Sequence, residues 1–273
     1  MKKLLAVLLS VVMVLSLVAC GSTNKVETEP VSGEQSESDL EYVKGKGKLI
    51  VGITDFEPMD YKDEAGNWIG FDADLAKAFA KEIGVDCEFI EIDWDSKTME
   101  LENKNIDLVW NGMTIQDDLK ASMNISNAYC NNAQIIVAKK DVIAKLTKAE
   151  DAKDLTFAVE SGSAGEKAAN DNGYNNIAVQ TQADAVMEVA SGTSDACIID
   201  SLMAAAMVGE GTSYTDLAYA SFGLTEEFYG VGGRLNSDLI TTLNDFLVKA
   251  YADGTVQSIA ETYKIQASLI EQK

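Results

Sequence analysis

Lys48-Leu49-Ile50-Val51-Gly52-Ile53 and Phe71-Asp72-Ala73-Asp74-Leu75-Ala76-Lys77-Ala78-Phe79-Ala80-Lys81-Glu82-Ile83 carry the reading of the fold. The first is a short apolar run that ends in turn-forming residues. The second places apolar residues at helical spacing, with Asp72 and Asp74 in its first turn, so the pair predicts a strand followed by a helix. Residues 87–92 then alternate in strand fashion, residues 96–103 read as a helix, and residues 106–110 form a buried strand running into Asn111-Gly112. This β-α-β-α-β alternation predicts a doubly wound α/β sheet.

The pattern restarts downstream. Residues 134–138 read as a strand, 155–159 as a strand, 165–170 and 183–191 as helices, and 196–199 as a strand. Residues 229–233 look like a returning strand, and two closing helices follow over 238–253 and 255–263, parted at Asp253-Gly254. The expectation is two α/β lobes joined by two crossing strands near Gln134 and Tyr229, the chain's end going back to the first lobe. Ligands in such sheets sit at the carboxyl ends of the strands, here facing each other across a cleft that closes by hinge motion. We place the first lobe at 45–134 and 226–268, and the second at 135–225.

The chain opens with Met1-Lys2-Lys3 and an apolar run to Val18, followed by Ala19-Cys20-Gly21-Ser22. That is the layout of a secretory signal, 1–19. The run falls short of the ~18 or more apolar residues of an uncleaved spanning anchor. Leu17-Val18-Ala19-Cys20 resembles the lipobox of bacterial lipoproteins, which implies lipid on Cys20 and an exported protein held at the outer face of the cytoplasmic membrane. Residues 20–44, rich in Glu, Ser, Thr and Gly, read as a flexible tether with too little apolar surface to order.

With 22 basic against 44 acidic residues the net charge is -22, a field that opposes phosphate backbones and anionic lipid, so nucleic acid is excluded as a partner. The chain has no histidine, which removes the commonest general base and transition-metal ligand. Cys87, Cys130 and Cys197 have no metal-type spacing. No metal, cofactor or catalytic residue is expected, and a monomer is.

Gly47 to Gly52, Gly66 to Ala76, Asp107 to Thr114, Ser126 to Tyr129 with Gln134 to Lys140, Asp195 to Asp200 and Tyr229 to Arg234, taken together, resemble the polar amino-acid family of periplasmic binding proteins, the family 3 solute-binding domain. The resemblance runs from about Gly45 to Ile265. It implies a two-lobed, type II periplasmic-binding-protein-like fold with a mixed sheet in each lobe. It also implies an ABC importer whose permease and ATPase are the partners.

Carried over residue by residue, the resemblance makes Phe56 and Trp94 the aromatic residues that pack on the ligand; the alternative is that both are core aromatics. It makes Asn111, Gly112 and Thr114 a ligand-contacting turn after a strand, where Gly112 permits close backbone approach. Gly162 and Ser163 lie where a strand meets a helix, so free N–H groups could hold a carboxylate; Ser163 could equally be a plain N-cap. Asp200, ending a strand, matches the acid that pairs with the ligand ammonium, with helix capping as its alternative.

One position departs from the family. Where relatives carry an arginine that grips the ligand carboxylate, this chain has Leu119, and its only arginine, Arg234, lies elsewhere. Such a fork supplies charge-assisted hydrogen bonds of roughly 1.5–3 kcal/mol each. Two readings stand. Lys120 with the Gly162 and Ser163 N–H groups could hold an amino-acid carboxylate, or the ligand could be a cationic amine without one, drawn by Glu57 and Glu160. Dehydratase-like enzymes share this architecture, but no nucleophile–base pair or phosphate loop appears, so a binding protein is expected.

Overall fold

Ser38 is the first residue described by the computed structural model, which covers residues 38–273. It caps helix α1 (Asp39–Lys46): its hydroxyl accepts from the Glu41 N–H at 3.1 Å and donates to Asp238 at 2.5 Å. This corrects the tether expected over 20–44. Its last residues are folded, because Val43 is fully buried and Asp39 pairs with Arg234 at 2.9 Å. The signal segment, Cys20 and the tether before Ser38 lie outside the described residues.

The elements then follow as β1 (Lys48–Ile53), β2 (Tyr61–Lys62), β3 (Trp68–Ile69), α2 (Phe71–Ile83), β4 (Asp86–Glu91), α3 (Lys97–Glu102), β5 (Leu108–Val109), β6 (Met123–Ile125) and β7 (Cys130–Asn132). The second half contributes β8 (Gln134–Lys139), α4 (Lys140–Ile143), β9 (Thr156–Glu160), α5 (Ala164–Asp171), β10 (Asn175–Val179), α6 (Gln182–Ser191), β11 (Ala196–Asp200), α7 (Ser201–Met207) and β12 (Leu217–Ala220). The chain closes with β13 (Glu227–Tyr229), β14 (Gly232–Arg234), α8 (Asp238–Ala252) and α9 (Thr255–Thr262).

Two five-stranded mixed sheets result, ordered β4-β1-β5-β14-β6 and β10-β9-β11-β8-β12. In the first, β1 runs parallel to β4 and β5, and β14 returns antiparallel. In the second, β9 runs parallel to β10 and β11, and β8 is antiparallel to β11 and β12. Each sheet is the heart of a lobe, so the two-lobed fold is present. The apolar stripe of α2 explains its docking: Phe71, Leu75 and Phe79 are fully buried, and Phe79 meets Phe246 of α8 at 5.4 Å between ring centroids. Truncating such an aromatic to Ala costs about 3–5 kcal/mol.

The lobes are joined through β7 and β13, which pair antiparallel with Tyr229 opposite Cys130. The strand expected over 229–233 is therefore two: β13 belongs to this crossing pair and β14 to the first sheet. Gly230 sits between them, where a β-carbon would collide with Ile125 and Ile115 at 2.8 and 2.9 Å. The last residues lie along the crossing, the Ile270 N–H donating to the Tyr129 carbonyl at 3.0 Å. Among the described residues no helix is long and apolar enough to cross a membrane.

Candidate functional site

The carboxyl ends of β5, β9 and β11 converge on one cavity between the lobes, as the topology dictates. The first lobe contributes Trp94, Lys97, Asn111, Gly112, Met113, Thr114, Gln116 and Leu119 to its wall; the second contributes Glu160, Gly162, Ser163, Ala164, Gln182 and Asp200. It encloses about 20 Å³, room for about one water, so a larger solute enters only when the lobes part.

On the first-lobe side, Asn111 is a cross-brace. Its side-chain amide donates to the Thr54 carbonyl at 3.0 Å and to Asp60 at 2.8 Å, and its oxygen accepts from the Thr54 N–H at 3.0 Å. Gly112 has φ +54°, and a β-carbon there would lie 2.5 Å from the Phe56 ring, so this turn demands glycine. The Gly112 N–H donates to the buried Asp72 at 2.6 Å, as does the Tyr129 hydroxyl at 2.8 Å. Burial still pushes the Asp72 carboxyl up to about 7. Thr114 donates its hydroxyl to Glu227 at 3.0 Å.

On the second-lobe side, Asp200 occupies the N-cap position of α7 but makes no side-chain cap bond, which disposes of the capping alternative. It is instead the centre of a buried network. Its Oδ1 accepts from Asn132, from Gln134 at 3.0 Å and from the Tyr229 hydroxyl at 2.9 Å, and its Oδ2 accepts from Gln182. Burial and the nearby Glu227 charge push it up to about 7. Glu160, only 2 % exposed, is pushed up to about 8, first by burial and next by Asp200, with Thr54 and Lys97 acting in the opposite direction. Its Oε1 is buried without a hydrogen-bond partner.

Several expectations change. Phe56 is not in the cavity wall; it is 1 % exposed and packs edge-on against Tyr229, centroids 6.4 Å apart, in space that a β-carbon at Gly112 would occupy. Lys120 is exposed and paired with Asp117 at 2.8 Å, pointing its charge at a neighbour on its own turn. Glu57 borders a separate groove with Pro58, Tyr61 and Leu202. Gly162 and Ser163 do line the cavity, but the Gly162 N–H donates to Glu166 at 2.7 Å and the Ser163 hydroxyl caps the Glu166 N–H at 3.1 Å. Leu119 is in the wall, half-buried. Trp94, Asn111, Gly112, Thr114, Glu160 and Asp200 all reach it.

Sequence reading missed Lys97 and Gln182. Lys97 is 5 % exposed and donates to the Trp94 carbonyl and, across the cleft, to the Gly162 carbonyl, both at 3.0 Å, with its ammonium 4.9 Å from the Trp94 ring centre. Its signal was present: a lysine at the first residue of a helix opposes the helix dipole, so it must be held by other partners.

The description "Bacterial extracellular solute-binding proteins, family 3" matches residues 49–266. The chain belongs to this family. Among curated relatives, this family 3 protein is 30% identical to the arginine-binding extracellular protein ArtP of Bacillus subtilis (strain 168), over 96% of this chain and 98% of that one. It is 29% identical to a probable histidine-binding protein of Neisseria gonorrhoeae, over 91% of each. Among solved structures, it superposes on the ancestral amino acid-binding protein AncCDT-1, a precursor of cyclohexadienyl dehydratase, with TM-score 0.75 and 34% identity, covering 83% of this chain and 99% of that one. A Streptococcus pneumoniae ABC uptake transporter substrate-binding protein with bound histidine gives TM-score 0.75 and 28% identity, over 83% and 96%.

Proposed function

We propose that this family 3 protein captures a small amine-bearing solute, an amino acid or a close relative of one, in the cavity between its lobes and delivers it to an ABC permease and its ATPase. The observation that carries this reading is the pair of buried carboxylates, Glu160 and Asp200, in the wall of one interlobe cavity that Trp94 also lines. A carboxylate matches an ammonium in charge and hydrogen-bond geometry, and an aromatic ring beside it favours a cation. The arginine- and histidine-binding names of relatives support an amino-acid-like solute.

In this reading the protein binds without turnover, and Phe56 backs the site through Gly112. Asn111, Gly112 and Thr114 shape one wall, and Gly162 and Ser163 the other. Residues 1–19 export the chain, lipid on Cys20 anchors it outside the cytoplasmic membrane, and the tether up to about residue 37 gives a monomer its reach. The lobes divide near residues 134 and 226.

The test is a thermal-shift screen of the full chain against free amino acids and their amine relatives, repeated with Asp200→Asn. A ligand at 100 times its Kd should add about 2.7 kcal/mol, and the substitution should abolish that gain. Stabilisation by none of these compounds, or undiminished stabilisation in Asp200→Asn, would overturn the reading.

A further inference from the structure

We infer that Asp60 and Asp72 share a single proton and act as one unit, positioning the Asn111–Gly112 turn of the cavity wall from behind. The inference goes beyond solute capture and rests on that reading only in taking this turn as a solute contact.

Both acids are fully buried in the first lobe, outside the cavity wall. The segments that carry them are pressed together. The Asp72 N–H donates to the Met59 carbonyl at 3.0 Å, and a β-carbon on Gly70 would lie 2.1 Å from that carbonyl oxygen and 2.9 Å from the Asp60 nitrogen. From this position the two acids hold consecutive residues of the turn. Asp60 Oδ2 accepts from the Asn111 side-chain amide at 2.8 Å, and Asp72 Oδ2 accepts from the Gly112 N–H at 2.6 Å.

Each acid keeps its other oxygen, Oδ1, buried without a hydrogen-bond partner. An unpaired buried acceptor is costly, and two carboxylates in one buried site do not both stay ionised. One hydrogen held between the Oδ1 atoms removes both penalties and leaves each Oδ2 to the turn. The surroundings offer no substitute for it. Lys77 faces Asp60, but its ammonium is directed at Asp74 at 3.0 Å and at the Trp68 carbonyl at 2.6 Å, and Asp74 adds negative charge. The Trp110 indole faces Asp72, yet its N–H is buried without a hydrogen bond. The titratable neighbours Tyr129, Cys87 and Cys130 are held neutral by burial. Burial, then the Asp72 charge, pushes Asp60 well above the usual carboxylate range, and burial pushes Asp72 up to about 7. Between those two losses the pair holds one proton, which belongs to the pair and not to either residue.

The experiment is carbon-13 NMR of the aspartate carboxyl groups in the full chain. At pH 8 Asp60 and Asp72 should carry one proton between them, and the step that removes it should also move the Gly112 amide resonance. Asp60→Asn and Asp72→Asn each put an amide N–H where the shared proton stood. Each should melt at or above the parent's Tm at pH 8, and the Gly112 resonance should lose its step. The double variant places two amide groups together with no acceptor between them, so its Tm should fall below both singles by more than their summed effects. Two carboxylates or two neutral carboxyls at pH 8, a Gly112 amide silent to the step, or additive effects in the double variant overturn the inference. None of these readouts needs a solute, so such results leave solute capture standing. Failure of every compound in the thermal-shift screen overturns capture and leaves the shared proton untouched.

Discussion

Gly162 and Asp95 belong to different lobes, yet a β-carbon on Gly162 would lie 2.6 Å from the Asp95 α-carbon and 3.2 Å from its backbone nitrogen. Backbone cannot move aside as a side chain can, so the lobes approach this closely only because residue 162 is glycine. Its φ of +69° adds a second reason. The Lys97–Gly162 hydrogen bond at 3.0 Å crosses at the same place.

Gly162→Ala should therefore act on closure more than on folding. Adopting the left-handed backbone costs a non-glycine residue about 1–2 kcal/mol, a modest loss in a melting curve. The larger effect is on lobe approach: in small-angle scattering the variant should keep an expanded radius of gyration with saturating ligand, where the parent compacts. Equal compaction in both would show that the contact does not limit closure.

The buried acids set the sign of the pH dependence. Glu160 is raised to about 8 from 4.5, and Asp72 and Asp200 to about 7 from 3.8. Between those limits the folded chain holds protons that the unfolded chain has released, so stability falls as pH rises from about 4 towards 7 to 8 and levels off above. Each group accounts for a change on the order of a few kcal/mol. Scanning calorimetry should give a lower Tm at pH 8 than at pH 5, with a smaller difference in Glu160→Gln. A Tm that rises with pH over this window, or a slope unchanged in the variant, would contradict the assignment.

Arg234 has a structural task remote from the cavity. Its Nε reaches Asp39 at 2.9 Å, Nη1 the Ile106 carbonyl at 2.7 Å and Nη2 Asp107 at 3.2 Å, while Lys46 meets the same fully buried Asp107 at 2.6 Å. This cluster fastens α1 to the first sheet. Removing one partner of a buried pair costs about 3–5 kcal/mol, so Arg234→Ala should lower the urea midpoint sharply and leave ligand affinity within twofold of the parent. Stability unchanged within about 1 kcal/mol would place the cluster among surface pairs.

Much of the architecture was legible because local pattern and tertiary burial agree. The strand Lys48–Ile53 and the helix Phe71–Ile83 match their sequence bounds to the residue. In α2 the helical period coincides with the face that packs inward. Strand β10 gave no such signal: Asn175–Val179 contains no fully buried residue and lies at the sheet edge, so its strand character comes from pairing with β9. Helix α1 hid behind the polar composition of the residues before it.

The site was legible in its turns and opaque in its contacts. Asn111, Gly112, Thr114 and Asp200 follow strands, and strand ends face the cleft in this topology. The contacts of Phe56 and Lys97 are made with residues distant in sequence. The orientation of Phe56 is set by Gly112 and Tyr229, and the position of Lys97 by a carbonyl 65 residues away.

The account rests on a solute held between the lobes by Glu160 and Asp200, and the most direct measurement is a crystal structure of the full chain with the most stabilising compound of the thermal-shift screen. The prediction is a ligand nitrogen about 3 Å from the Glu160 carboxylate, with Trp94 of one lobe and Asp200 of the other in contact with the same molecule. A ligand seated in the groove bordered by Glu57, Tyr61 and Leu202, or touching one lobe only, would contradict it.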